Sequence, residues 1–427
     1  MPTSIALDPV DFRLATILAV LSRGALLFFV LPLLPRSAWA QEDINAQTEP
    51  LDTFRPYVRA DYAYDSNLFR LENDDQARAL LGTSDKSATY HTLAAGMDVD
   101  WRISRQVLKG RLEVNQTRFD TYKKLDYSGH TGLLQWNWLI GKFATGDLGV
   151  NETKTLASFN DIQNSTQSLV TTRQAYAHAG IKLALPWQLN LGLVRTTTSN
   201  SANSQQSLNY NENKYTAGIQ YQTEKGTLLE FNSQYSEGQY PNRQIIGAAP
   251  VDNGYRQYDN GVATLWSPGV KTKLKGELNY TQRRYADVPQ RDFSGVTGRL
   301  ATDWMVTEKT TLGLVLYRDI GVVENNTASY SINRGVTLSA AWRPTVKLSF
   351  KARAIRERQT YAGDPGFVLT SAPTRQDDVT NFQLETSYKV LRKTKLGLLL
   401  QHGVRQSNQA LAGYRFNSAL ISLHSEF

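Results

Sequence analysis

The chain has 427 residues, 10% of them aromatic and 20% charged, with a formal charge of +8 and no cysteine. The aromatic content excludes a disordered chain, and the missing thiols exclude disulfides, thiol catalysis, iron–sulfur clusters and thiolate zinc sites. Five histidines are too few and too scattered for a histidine-rich metal centre, and 47 Lys and Arg against 39 Asp and Glu leave only a modest basic balance.

The first element is apolar. Residues 14–34 carry few polar side chains beyond Ser22 and Arg23, and the stretch closes on Ala38-Trp39-Ala40. An apolar run ending in a small-x-small triplet predicts a secretory signal peptide over 1–40, cleaved before Gln41; a retained signal anchor is the alternative. Residues 41–53 are too short for a domain and read as a periplasmic tether. The remainder, 54–427, reads as one domain.

That domain repeats a single pattern. Leu93, Ala95, Met97, Val99 and Trp101 alternate with Ala94, Gly96, Asp98 and Asp100, and Leu274, Gly276, Leu278 and Tyr280 alternate with Lys273, Lys275, Glu277 and Asn279. A period of two with one apolar face is a strand signature, and no stretch offers an apolar helical stripe of helix length. Eighteen strands are expected, beginning near residues 55, 88, 106, 129, 142, 171, 187, 214, 227, 255, 271, 293, 309, 329, 346, 379, 394 and 411. Sixteen is the alternative count, because the segments near 255 and 329 have mixed faces. Around Val262, Leu265 and Trp266 both faces are apolar, which a bulge or an interior aromatic would explain.

Connections alternate in length. Very short ones fall at 104–105, 141, 186, 224–225, 268–269, 308, 344–345 and 392–393; long polar ones fall at 70–86, 157–168, 198–213, 237–254 and 361–376. Strands of 10 to 14 residues outrun the five or six usual in globular sheets and match the ~9–11 needed to cross a bilayer at a tilt. A sheet in hydrocarbon must close on itself. The fold class is therefore all-β, a transmembrane antiparallel β-barrel of the outer-membrane type. It should sit in the outer membrane of a Gram-negative bacterium with both termini periplasmic, among outer-membrane lipid and lipopolysaccharide. Tyr57, Trp101, Trp138, Trp187, Trp266, Trp304 and Trp342 lie near short turns and are candidates for an interfacial aromatic girdle. Phe427 ends an amphipathic strand, which resembles the signal read by the barrel-assembly machinery.

If the apolar parity faces lipid, the other parity faces the lumen. Its cations are Arg59, Lys109, Arg111, Lys214, Lys273, Lys275, Arg283, Arg299, Lys351, Arg353, Lys389, Lys395 and Arg405, with Arg102 beside them. The carboxylates noted on the same parity are Asp61, Asp98, Asp100, Glu113, Glu230, Glu277, Asp303 and Glu385, so a net basic lumen is expected. A basic lumen would concentrate anions, unless these cations simply pair with neighbours such as Glu113, Glu277 and Asp303. No P-loop, GxSxG elbow, HExxH pair or calcium-loop pattern frames the histidines or serines. No catalytic residue, metal site, cofactor or nucleic-acid partner is expected.

Residues 57–70 read Tyr-Val-Arg-Ala-Asp-Tyr-Ala-Tyr-Asp-Ser-Asn-Leu-Phe-Arg. This opening strand resembles that of the EpsL-like outer-membrane proteins encoded with exopolysaccharide biosynthesis clusters and the exosortase system, within the broader beta-barrel porin 2 group. The compact part of the likeness is Tyr64-Asp65-Ser66-Asn67-Leu68-Phe69. The resemblance implies export of a secreted polysaccharide through a passive conduit, with periplasmic export components as partners. A general or anion- or sugar-selective porin for small solutes, and a non-conducting structural barrel, stand as alternatives. A long loop folded into the pore would favour the selective porin.

Overall fold

A computed structural model describes residues 52–160, 163, 165–242, 244–246, 249–252, 254–287, 289–322, 330–362 and 374–427. The expected signal peptide and residues 41–51 of the tether lie outside the described residues. The strands in the first half are β1 (Phe54–Asp65), β2 (Ala88–Ile103), β3 (Gln106–Phe119), β4 (Tyr127–Ile140), β5 (Ala144–Leu156), β6 (Leu169–Ala184), β7 (Trp187–Asn200), β8 (Tyr210–Gln222) and β9 (Leu228–Gln239). A small hairpin follows, β10 (Gln244–Ile246) and β11 (Ala249–Val251). The second half holds β12 (Tyr255–Gly269), β13 (Thr272–Tyr285), β14 (Phe293–Thr307), β15 (Thr310–Val322), β16 (Tyr330–Trp342), β17 (Leu348–Ala362), β18 (Gln376–Lys389), β19 (Thr394–Ser407) and β20 (Tyr414–Glu426).

Leaving out the hairpin β10–β11, eighteen strands form one antiparallel sheet that closes where β1 pairs with both β2 and β20. Their starts fall within four residues of those expected from the alternation. At the closing seam Tyr57 faces Glu426 and Asp65 faces Ser418, and the Ser422 hydroxyl donates to Asp61 at 2.6 Å. The Phe427 amide adds a bond to the Pro56 carbonyl at 2.9 Å. Ser425 breaks the apolar parity of β20 but meets the Thr394 hydroxyl across the hairpin at 3.0 Å.

The pleat sorts the side chains. Along β2 and β3, Leu93 and Leu112 point outward and are exposed, whereas Thr92, Thr117 and Glu113 point inward and are buried. An outer face of exposed Leu, Val and aromatic side chains is stable only in an apolar solvent, as a barrel in a bilayer requires. The mixed faces of β12 need no bulge: alternation is unbroken from Tyr255 to Trp266, and Leu265 is an apolar residue on the inward parity, opposite Leu228 and Lys275, while the register shift with β13 comes only between Trp266 and Gly269.

One helix departs from the sequence expectation. Asp74–Leu81 is helical inside the first long loop, capped by the Asn73 side chain accepting from the Gln76 amide and ended by Gly82 at φ 75°. Its eight residues are too few for a periodic stripe to stand out, so its signal is in the caps.

Candidate functional site

The lumen wall is built by register. Each directly opposed pair shares a face, so a row of partners can be followed around the barrel. Asp100 faces Lys109, which leads through Gln135, Gly149, Tyr176 and Val194 to Lys214, then Ser236, Gln257 and Arg283. A second row runs Glu230, Ala263, Glu277, Arg299, Tyr317, Gly335, Glu357, Val379 and Arg405. Lys273 faces Asp303; Lys275 faces Leu265; Arg353 faces Gln383; Lys351 faces Glu385; Lys389 faces Lys395. Arg59 lies opposite Ala94 and His424, and Arg111 opposite Asp98. All thirteen cations singled out from the sequence thus occupy the inward parity.

Several of these cations are held by carboxylates. Arg111 forks onto Asp98 at 2.5 and 2.9 Å. Arg59 pairs with Asp61 and donates to Glu113 at 3.0 Å, and the Tyr57 hydroxyl donates to the other Glu113 oxygen at 2.8 Å. Lys214 lies 3.7 Å from Glu212, Lys351 3.8 Å from Glu385, and Arg405 3.7 Å from Asp377. Arg283 donates to Gln257 at 2.7 Å and stacks over Tyr255, and Arg299 lies over Tyr317.

The expected excess of cations is corrected by this wall. The inward parity also carries Asp65, Asp147, Glu212, Asp259, Asp319, Glu357, Asp377 and Glu426. They bring the carboxylates level with the cations once Arg55 and Lys182 are added. Both signs occur at each end of the axis, with Asp303, opposite Lys273, and Glu426 beside the short turns and Arg283 and Arg405 toward the long loops, but their weights differ. Cations such as Arg55, Lys273, Lys351, Lys389 and Lys395 crowd the short-turn end, and carboxylates such as Asp65, Asp259, Asp319 and Asp377 lie toward the long loops.

Tyr57 needs a second correction. It is 4% exposed and points inward onto Glu113, so it is not part of an outer girdle. Trp101, Trp187, Trp266, Trp304 and Trp342 are exposed on the outer face near the short turns, and Trp138 on the same parity packs over Gly146. Trp136, absent from the sequence candidates, is also exposed there. Toward the long loops Tyr215, Tyr235 and Tyr258 form an outward aromatic row on β8, β9 and β12, with ring centroids 6.1 and 5.1 Å apart. Its signal was register across three strands, which no single segment displays.

The first long loop enters the barrel mouth. Leu68, Phe69 and Leu71 are buried with Ala63, Tyr90, Phe119 and Tyr127 of the inner wall, and Phe69 packs edge-on against Tyr122 and Phe159. The Asp-Ser-Asn-Leu-Phe run builds the entry. Asp65 accepts from the Asn67 amide at 2.8 Å, and the Asn67 side chain bonds the Leu71 amide, the Leu71 carbonyl and the Arg415 carbonyl. Arg70 then spans toward the far side of the seam, over the Phe416 ring at 3.6 Å. Asn160, from the loop after β5, accepts from Arg70 at 3.2 Å and from Arg405 through its carbonyl at 2.8 Å.

Two loops therefore cover the inner wall of β19 through β5. Beside them a cavity follows the inner wall of β5 through β15. Its lining mixes amides with charged residues, the carboxylates Asp147, Glu212, Glu230, Asp259, Glu277 and Asp319 beside Lys214, Arg283, Arg299 and Arg318. It is cross-braced, Asn190 to Gln220 and Glu230 at 3.2 and 3.1 Å, Gln234 and Gln257 to Asp259 at 2.9 and 2.7 Å. Among the described residues no group of three or more metal-ligating side chains could hold a metal ion.

Residues 195–427, more than half of the chain, match the family model described as Putative beta-barrel porin 2. The chain belongs to this family. Its fold is an all-β, eighteen-stranded antiparallel closed barrel of the outer-membrane type. No curated protein matches the sequence. Among solved structures, OpdK of Pseudomonas aeruginosa with vanillate is 11% identical, with a TM-score of 0.47 over 88% of this chain and 99% of that one. OccAB3 of Acinetobacter baumannii is 8% identical, with a TM-score of 0.48 over 88% and 99%. The siderophore receptor PirA of Pseudomonas aeruginosa is 8% identical, with a TM-score of 0.45 over 89% and 81%. Likeness of this degree carries no information about solute.

Proposed function

We propose that this barrel is a passive channel for small polar solutes of sugar size. It would lie in the outer membrane with the short turns and both termini in the periplasm, after loss of residues 1–40 and assembly through Phe427. The observation that carries this reading is the division of the lumen. The first long loop is latched against the wall of β19 through β5, and a polar cavity lined by amides and charged residues remains along β5 through β15. Amides such as Asn190, Gln220, Gln257 and Asn279 offer both donors and acceptors, which a hydroxyl-bearing solute can exchange for water. Within the cavity six carboxylates stand against Lys214, Arg283, Arg299 and Arg318, a field that favours cations over anions.

Polymer export, with the exopolysaccharide-associated identity implied by residues 57–70, is the second reading. The Asp65-to-Phe69 run favours it by resemblance, but here that run builds the latch, and a polymer would need the latch released. Liposome swelling separates the two. Entry of mono- and disaccharides, exclusion of longer dextrans and a zero-current potential on the cation side in a salt gradient are expected. Loss of surface polymer in a deletion strain, restored by the wild-type barrel, would overturn the small-solute reading.

A further inference from the structure

The outer face carries charge where a bilayer-facing surface gains nothing from it. Arg334 of β16 and Arg358 of β17 are directly opposite each other, and Arg356 lies two residues along β17 on the same face. All three are exposed. Among the described residues the one carboxylate that meets them is Asp378 on β18, which takes a fork from Arg358 at 2.9 and 3.1 Å. Directly opposed like charges destabilise a strand pair, so three guanidiniums around one carboxylate leave an unmet demand for anions. Immediately toward the short turns the same face becomes apolar, with Leu338 and Phe382 exposed on the row that joins them through Ala354. The arginines therefore stand at the edge of the apolar band on its long-loop side, where stems can lie along acyl chains and heads can reach phosphate. Guanidinium suits this task because its planar fork matches phosphate oxygens.

We propose that Arg334, Arg356 and Arg358 form a binding site for the phosphates of a phosphorylated glycolipid in the outer leaflet. The site rests on the long loops facing outward and is independent of what passes through the lumen. Asp378 fixes the Arg358 fork, and Arg334 and Arg356 supply the charge that the lipid neutralises. Each arginine removed should weaken binding by about fivefold, the equivalent of ~1 kcal/mol per basic side chain near an anionic surface.

The test compares wild type with R334Q/R356Q/R358Q and with the single variant R356Q. Both are purified from outer membranes and checked for folding by their heat-shifted migration. Co-purified phosphoglycolipid per barrel is measured, followed by thermal unfolding in phosphatidylcholine vesicles doped with lipid A, dephosphorylated lipid A or phosphatidylglycerol. The proposal expects lipid A alone to raise the wild-type midpoint, a partial loss in R356Q and a near-complete loss in the triple variant. Equal lipid retention in wild type and R356Q would overturn it. So would equal stabilisation by phosphatidylglycerol, which would mean a general anion surface, or by dephosphorylated lipid A, which would mean acyl-chain contact alone.

Discussion

Arg70 turns back on Asp65 with two parallel hydrogen bonds, Nη1 to Oδ1 and Nη2 to Oδ2, both 2.9 Å long. The pair is nearly shielded from water, at 11% and 3% side-chain exposure, and it fixes the first long loop where β1 leaves the sheet. Arg70→Ala leaves Asp65 buried without its cation. The expected cost is about 3 kcal/mol in the denaturant unfolding of the folded barrel, together with a larger and noisier single-channel conductance. An unchanged conductance would show that the loop does not narrow the path.

The Phe416 ring beneath Arg70 depends on a glycine. A Cβ on Gly403 would lie 2.1 Å from Phe416 Cε1, so Gly403→Val must displace the ring and the guanidinium stacked on it. A destabilisation of about 1–3 kcal/mol is expected, with a conductance change in the same direction as Arg70→Ala. Combining both changes should add little further conductance if they release one latch.

Glu113 gathers Tyr57 and Arg59 on the inner wall. Glu113→Gln keeps the shape but removes the charge that faces Arg59. About 1–3 kcal/mol should be lost from barrel stability, whereas Tyr57→Phe should cost less, because it deletes one donor to an acceptor that keeps Arg59. Urea titration of the barrels refolded in vesicles distinguishes the two.

Lys389 and Lys395 oppose each other inside the β18–β19 hairpin at the short-turn end. Lys389→Glu turns a repelling pair into an attracting one. A gain of up to about 1 kcal/mol is expected, with a shift of the zero-current potential toward cation preference.

Acid should loosen the first long loop. The hydrogen bond from Lys86 at 2.8 Å holds the Asp74 carboxyl below its ordinary value of 3.8, and the Ser87 backbone N–H does the same for Asp85. Carboxyls lowered in the folded state contribute stability that is complete above pH 3.8 and is lost as pH falls through their depressed pKa values. Protease sensitivity of the loop should therefore stay flat from neutral to mildly acid conditions and rise below that point. Asp74→Asn should raise sensitivity at neutral pH and flatten the acid response.

The strands were legible because strand periodicity is local. Lys273 to Tyr280 alternates within eight residues, and the parity alone assigns each side chain to one face. The mixed faces near Leu265 left the strand intact, since one apolar residue on the inward parity does not interrupt the pairing. Girdle assignments fared less evenly, because nearness to a turn does not specify a face: Tyr57 has the inward parity and Trp136 the outward one.

The sequence by itself determined an antiparallel barrel of the outer-membrane type, with eighteen strands expected and sixteen open, and by parity an apolar outer face and candidate cations for the inner one. Only the tertiary structure decided that those cations are matched by carboxylates, because partners such as Arg405 and Asp377 come from different strands and meet through register. It also decided that the run from Asp65 to Arg70 folds into the mouth. That outcome depends on Phe416 and Asn160, which closure of the sheet brings to Arg70 from far along the chain, and no local pattern of residues encodes such a meeting.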